Sequence, residues 1–216
     1  MEYLGKRKTI HGLITVAGLS SRMGDFKPLM PLRGKTVIEN TIDSMLVAGV
    51  GKIVLVLGHR GKELEKYLKS RYLGDTLIYV YNYKYAKTDM LTSIKIGLKS
   101  LPVCDAFFLL PGDMPVIEKE TYLKIYEAMP FGQGGVIFPT LEGYRKHPPL
   151  IDIGFIPKIL EYQGEGGLRE IWKEYKNKIH TVAIEDPGCW VDIDTYKEYL
   201  KCKENYEEKN NTCENY

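Results

Sequence analysis

Short apolar runs recur along the chain at residues 12–16, 52–57, 77–81, 106–110 and 135–138. Each has about the length of a strand. Between them, apolar residues return at spacings of three and four, the helical period. Segment 36–48 sets Val37, Ile38, Thr41, Ile42, Met45 and Leu46 on one face and stops at Gly49. Segment 89–101 does the same with Leu91, Ile94, Leu98 and Leu101. Helical segments 62–71 and 118–129 follow the second and fourth strands. This alternation predicts an α/β fold, a doubly wound and mostly parallel sheet in three layers. Right-handed crossovers then carry the loops after the strands to one edge, where ligands bind in such sheets. Loops 17–28 and 111–117 belong to that edge.

Beyond Pro139 the pattern loosens. Residues 147–151 read as a short extended piece, 154–162 and 167–175 as short helices, and 179–184 as a last strand. A final helix begins at 195–200. Residues 201–216 are polar and nearly free of aliphatic side chains. They are expected to be a disordered tail on a single domain of residues 1–200.

Composition narrows the possibilities. A length of 216 residues suits one core, and 44% hydrophobic content is ordinary for a globular chain. A net charge of +2 gives no general nucleic-acid surface. No segment approaches the roughly 20 apolar residues of a membrane span. Lys6-Arg7-Lys8 is not followed by an apolar stretch, so no signal peptide is expected. Cys104, Cys189, Cys202 and Cys213 show no paired or metal-ligand spacing and read as reduced cytoplasmic thiols. The first two are expected to pack and the last two to be incidental.

The richest stretch follows the first strand: Val16-Ala17-Gly18-Leu19-Ser20-Ser21-Arg22-Met23-Gly24, then Lys27 and Leu29-Met30-Pro31. Glycines such as Gly18 and Gly24 let the backbone approach phosphate oxygens, and backbone N–H groups in such a loop form an anion-binding concavity. Arg22 offers a fork of donors and Lys27 a movable point charge, two different grips on a chain of phosphates. The stretch is not a Walker loop, since no Gly-Lys-Ser/Thr closes it.

A second signal is Leu110-Pro111-Gly112-Asp113-Met114-Pro115, which ends the buried run at 106–110. A carboxylate at a central strand's tip faces the ligand edge. Asp113 is therefore placed to hold a hard divalent ion such as Mg²⁺, shared with substrate phosphates. Asp between Gly and Pro is also common in plain turns. Asp192 and Asp194 form another acidic pair. Asp194 reads as the cap of the following helix and Asp192 as the better ligand, because neighbouring side chains alternate along extended backbone.

The first stretch resembles the signature of the MobA-like NTP transferase family, LAAGxSxRMGxxKxLLP. Within it, Ala17-Gly18 leans toward the cytidylyl-transferring branch, because guanylyl-transferring members carry two glycines. Asp113 falls on the family's GDMP motif, its metal carboxylate. Residues 191–199 resemble DIDTPEDY, which completes the metal site, with Tyr196 and Lys197 departing from it. Met90, Ser93 and Gly97 match GMxxSIxxG, a helix start that contacts base or ribose. Asp89 stands there in place of Gly, and a plain amphipathic helix explains the spacing equally well. His147 matches the GHPV segment, with Lys146 in place of Gly, and a structural role serves a lone histidine as readily. Gly167 and Arg169 match an acceptor-side loop, GDxGAR, with Glu165 and Leu168 departing.

The resemblance implies a glycosyltransferase-A-like nucleotidyltransferase. Arg22, Lys27 and Asp113 would act in catalysis. Ala17, Gly18, Ser20, Arg22, Gly24, Lys27, Met90 and Ser93 would bind an NTP, with CTP favoured. Asp113 and Asp192 would hold Mg²⁺, and His147, Gly167 and Arg169 would face a phosphorylated small-molecule acceptor. Molybdopterin is the leading acceptor, and a sugar or polyol phosphate the alternative. The resemblance also implies transient contact with a molybdoenzyme or cofactor-insertion protein. A nucleotide-binding regulatory module without turnover is the alternative of another class.

Overall fold

The structure, a computed structural model, describes residues 7–18 and 25–211, with 207–211 as backbone only. The described residues form ten strands and seven α-helices. The strands are β1 (Ile10–Val16), β2 (Pro31–Leu32), β3 (Lys35–Thr36), β4 (Ile53–Leu57), β5 (Leu77–Tyr81), β6 (Ala106–Pro111), β7 (Val136–Leu141), β8 (Tyr144–Arg145), β9 (Leu150–Asp152) and β10 (Ile179–Ala183). The helices are α1 (Val37–Val47), α2 (Gly61–Arg71), α3 (Met90–Leu98), α4 (Lys119–Glu127), α5 (Ile156–Glu161), α6 (Leu168–Glu174) and α7 (Tyr196–Asn211). One sheet runs in the order β10-β7-β9-β6-β1-β4-β5, with β8 paired to β7, and β2 and β3 form a separate ribbon. Only the short strands β8 and β9 run antiparallel to their neighbours in the large sheet.

Period-two alternation divides the core into two layers around the sheet. On β6, Ala106, Phe108 and Leu110 join one cluster with Ile38, Ile42 and Met45 of α1 and Tyr122 and Ile125 of α4. Phe107 and Leu109 point the other way and pack with Leu91, Ile94 and Leu98 of α3, Ile159 of α5 and Ile171 of α6. Each such side chain, fully buried, contributes about 1.5–3 kcal/mol. This is the expected three-layer α/β fold.

The tail differs from its expectation. α7 continues to Asn211, so much of the 201–216 segment is helical. Cys202 is buried and Tyr206 partly buried, and with Tyr199 they pack beside Met30, Leu32, Val37 and Ile193. Spacings of three and four put these three residues on one face. Two aromatics and a thiol supply an apolar stripe that an aliphatic count misses, and Cys202 is a packing residue.

Thr36 and Glu39 fix the start of α1. The Thr36 N–H donates to Glu39 Oε2 at 2.8 Å, and the Glu39 N–H donates to Thr36 Oγ1 at 3.3 Å, a reciprocal capping box. The Tyr67 hydroxyl donates to the same carboxylate at 3.0 Å. Burial by itself would raise the Glu39 pKa, but the Thr36 and Tyr67 hydrogen bonds hold it below the ordinary value. A carboxyl with a depressed folded pKa stabilises above its unfolded pKa and loses that contribution as pH falls through the folded one. The gap in urea midpoint between wild type and Glu39→Gln should therefore be widest near neutral pH and close on acidification below about pH 4. A gap independent of pH would contradict this assignment.

Candidate active site

β1 and β6 are paired neighbours, with Thr15 opposite Pro111, so their tips open together. The Gly112 N–H donates to the Thr15 carbonyl at 3.0 Å, and the Thr41 hydroxyl to the Gly112 carbonyl at 3.2 Å. A Cβ on Gly112 would lie 2.9 Å from Val16 Cγ2, so glycine lets this turn close onto β1. Asp113 follows it. Lys27 opens a turn of 3-10 helix, Lys27–Leu29, pinned by buried Phe26 and Met30. Its Nζ lies 2.7 Å from Asp113 Oδ2 and 3.5 Å from Asp194 Oδ1, with only 11% of the side chain exposed. Two residues with separate expected roles are thus in direct contact. Ser20, Arg22 and Gly24 lie outside the described residues.

Beside this cluster is a cavity of about 290 Å³. Its walls are Thr15, Ala17 and Gly18 from the end of β1, Tyr85, Thr88, Asp89, Met90 and Ser93 around the start of α3, and Pro111 and Asp113. The expected nucleotide-contacting residues Ala17, Gly18, Met90 and Ser93 therefore share one cavity. Asp89 caps α3, its Oδ1 accepting from the Thr92 N–H at 2.9 Å and the Thr92 hydroxyl at 2.7 Å. Those hydrogen bonds hold its carboxyl below the usual range. Asn82, buried behind this wall, was not among the expected site residues. Its amide donates to Thr88 Oγ1 at 2.9 Å and Ser93 Oγ at 3.0 Å, and its oxygen accepts from the Lys84 N–H. A polar side chain between strand and helix was its signal in the sequence.

The acidic strip corrects one expectation. Thr195, not Asp194, caps α7: the Glu198 N–H donates to Thr195 Oγ1, and Glu198 Oε2 accepts from the N–H groups of Asp194 and Thr195. Asp194 is left to meet Lys27. The alternation argument fails because residues two apart on extended backbone share a face, and because residues 191–194 belong to no strand. The Ile193 N–H donates to the Asp113 carbonyl at 3.1 Å, clamping the two acidic segments together. Burial raises the Asp192 pKa, and the charges of Asp194 and Asp113 raise it further. Among the described residues no three histidine, cysteine or carboxylate groups form a ready metal cage. Ions bound by one or two carboxylates together with substrate phosphates require none.

His147 joins Pro148 through a cis peptide bond. Its Nδ1 is buried without a hydrogen-bond partner. Burial lowers its pKa, partly opposed by a hydrogen bond with the Leu109 backbone and then by the Asp113 charge. Gly167 and Arg169 do not line the cavity. Their loop is fastened to α3 instead, where Lys95 donates to the Tyr162 carbonyl.

Asp186 is a second organiser that the sequence reading passed over. It is 5% exposed, and its carboxylate accepts from the Glu118 N–H at 2.9 Å, the Thr121 hydroxyl at 2.8 Å and the Gly188 N–H at 2.7 Å. It ties the start of α4 to the turn Pro187–Trp190, from which Asp192 and Asp194 follow. An Asp-Pro-Gly turn signature was visible in the sequence.

The cleft lies at the strand tips, where α/β sheets bind their ligands, with backbone and hydroxyl walls on one side and a lysine among carboxylates on the other. The profile of the MobA-like NTP transferase domain matches residues 12–179, and the chain belongs to that family. It is similar to the molybdenum cofactor cytidylyltransferase of Escherichia coli (strain K12), 30% identical over 197 residues that span 91% of this chain and 96% of that protein. It is also similar to the nicotine blue oxidoreductase of Paenarthrobacter nicotinovorans, 23% identical over 89% of this chain and 95% of that one. Among solved structures, a nucleotidyl transferase from Methanothermobacter thermautotroptrophicus superposes with a TM-score of 0.78 at 25% identity, covering 93% of this chain and 99% of that chain. No described helix is long and apolar enough to cross a membrane.

Replacing Asp186 by alanine would leave the Glu118 and Gly188 N–H groups, the Thr121 hydroxyl and the Cys189 thiol without their acceptor. A stability loss of about 1–3 kcal/mol is expected in urea unfolding. A concurrent fall in turnover is expected from displacement of Asp192 and Asp194. Full stability, or lost stability with unchanged turnover, would contradict the organising role.

Proposed function

We propose that this protein transfers CMP from CTP to the phosphate of a small-molecule acceptor, with molybdopterin carrying molybdenum as the leading acceptor, and releases pyrophosphate. The observation that carries this reading is Lys27 Nζ between Asp113 and Asp194, beside the cavity that Asp113 lines together with Ala17 and Gly18. Similarity to the E. coli cytidylyltransferase over nearly the whole chain supports it.

An acceptor phosphate oxygen attacks the α-phosphorus of the donor, and the bond to the β-phosphate bridge oxygen breaks. Both reactants are anions, so their repulsion must be overcome first. Lys27 moves from carboxylate to phosphate oxygens and steadies the leaving pyrophosphate. Arg22 does the same from the loop, and Gly18 and Gly24 keep backbone N–H groups close to phosphate. Met90 and Ser93 hold the nucleoside end. Asp113 and Asp192 suit a hard divalent cation, since burial and the nearby charges of Asp194 and Asp113 already disfavour the charged form of Asp192. Bound there, Mg²⁺ would neutralise charge on the reacting phosphates. The nucleophile is an ionised phosphate and needs no general base. Positioning supplies the remaining acceleration.

Pyrophosphate release from each of the four common NTPs, with Mg²⁺ and with or without a molybdopterin-containing extract, tests the proposal. Acceptor-dependent release from CTP is expected. Release only with sugar or polyol phosphates would replace the acceptor, and binding without release would make the protein a regulatory module. Lys27→Ala and Asp113→Ala should each lower turnover roughly 10²-fold or more while remaining folded. Wild-type rates in either variant would sink the assigned roles.

A further inference from the structure

A phosphate dianion approaching Asp113 meets a cluster of carboxylates and needs a cation on its own side. Lys27 is engaged toward Asp113 and Asp194. Lys146 follows β8 on the β7 side of the sheet, its ammonium against Trp190, which shortly precedes Asp192. Its backbone is held firmly. β7 and β8 form a hairpin with Leu141 opposite Tyr144, and its turn residues Glu142 and Gly143 have φ of 52° and 81°, the left-handed pair that a two-residue hairpin turn favours. The Lys146 N–H then donates to the Pro139 carbonyl at 2.8 Å.

The side chain is held as well. The Lys146 ammonium lies over the indole of Trp190. Trp190 is 47% exposed, and it ends the turn that Asp186 anchors. The next residue, His147, carries the buried, unpartnered Nδ1 and lies within reach of the Asp113 charge. A cation and an unsatisfied ring nitrogen thus sit side by side on the β6–β7 half of the sheet edge. The nucleotide cavity borders the opposite flank of Asp113, formed by the end of β1 and the start of α3.

We propose that Lys146 binds the acceptor's phosphate group, with Trp190 as the positioning residue that holds the ammonium over the turn leading to Asp192. The inference rests on the nucleotidyl-transfer reading. The indole face attracts the cation and replaces part of its water, so less hydration must be shed when a phosphomonoester arrives.

Calorimetry on the full chain with Mg²⁺ and saturating α,β-methylene CTP tests this without turnover, using glycerol 3-phosphate as the probe. Wild type should bind the probe. Lys146→Ala should weaken that binding about tenfold, and Lys146→Arg should restore most of it. Affinity for the CTP analogue should stay unchanged in all variants. Trp190→Ala should weaken the probe severalfold and Trp190→Phe should recover it. In acceptor-dependent turnover, Lys146→Ala should raise KM more than it lowers kcat. Unchanged probe binding in Lys146→Ala, an equal loss of CTP-analogue binding, or no probe binding by wild type would each overturn the proposal. Absence of pyrophosphate release from any NTP would instead overturn the transfer reading, independently of the binding result.

Discussion

One ammonium group joins distant parts of this chain. Lys27 Nζ contacts Asp113 and Asp194, which lie 86 and 167 residues further along. The contact requires β1 beside β6, the Gly112 turn closed onto Thr15, and residues 191–194 laid across the tip of β6. Each requirement is met by backbone hydrogen bonds, Gly112 to Thr15 and Ile193 to Asp113. A largely buried Lys–Asp pair is weak support for stability, because desolvation offsets much of its attraction. Its value lies in specificity. Without the lysine, the like charges of Asp113, Asp192 and Asp194 would meet at the strand tips with no cation between them.

A second anchor sets the outer half of the site. Asp186 satisfies donors from α4 and from its own turn. That turn delivers Trp190, then Asp192 and Asp194, in quick succession. The acidic side of the cleft is therefore assembled from two backbone-clamped segments. Lys27 meets one segment at Asp113 and the other at Asp194.

The legible parts of the chain were those whose cause is local. Strands in the middle of the sheet are buried on both faces and so read as continuous apolar runs, as 106–110 does. Lys27 and Asp113 were legible because loop chemistry and strand-tip position are encoded in adjacent residues. β8 and β9 are two and three residues long, too short for a periodic signal, and the insertion of β9 between β6 and β7 depends on non-local pairing. The exchange of roles between Asp194 and Thr195 had a local sign, since Thr195-Tyr196-Lys197-Glu198 has the capping-box spacing. Asp186 and Asn82 were missed because a buried organiser is recognised by the donors around it, and those come from elsewhere in the fold.

Fold alone does not select the reaction. The same length of chain resembles a protein named as a cytidylyltransferase and another named as an oxidoreductase. The discriminating features are therefore the side chains at the strand tips. A cation shared by two carboxylates can exchange one anionic partner for another. On the proposed function, an arriving phosphate would take over the ammonium of Lys27, and the released carboxylates would become available to a divalent ion. That exchange needs the lysine and the carboxylates in contact, as they are, rather than on opposite walls.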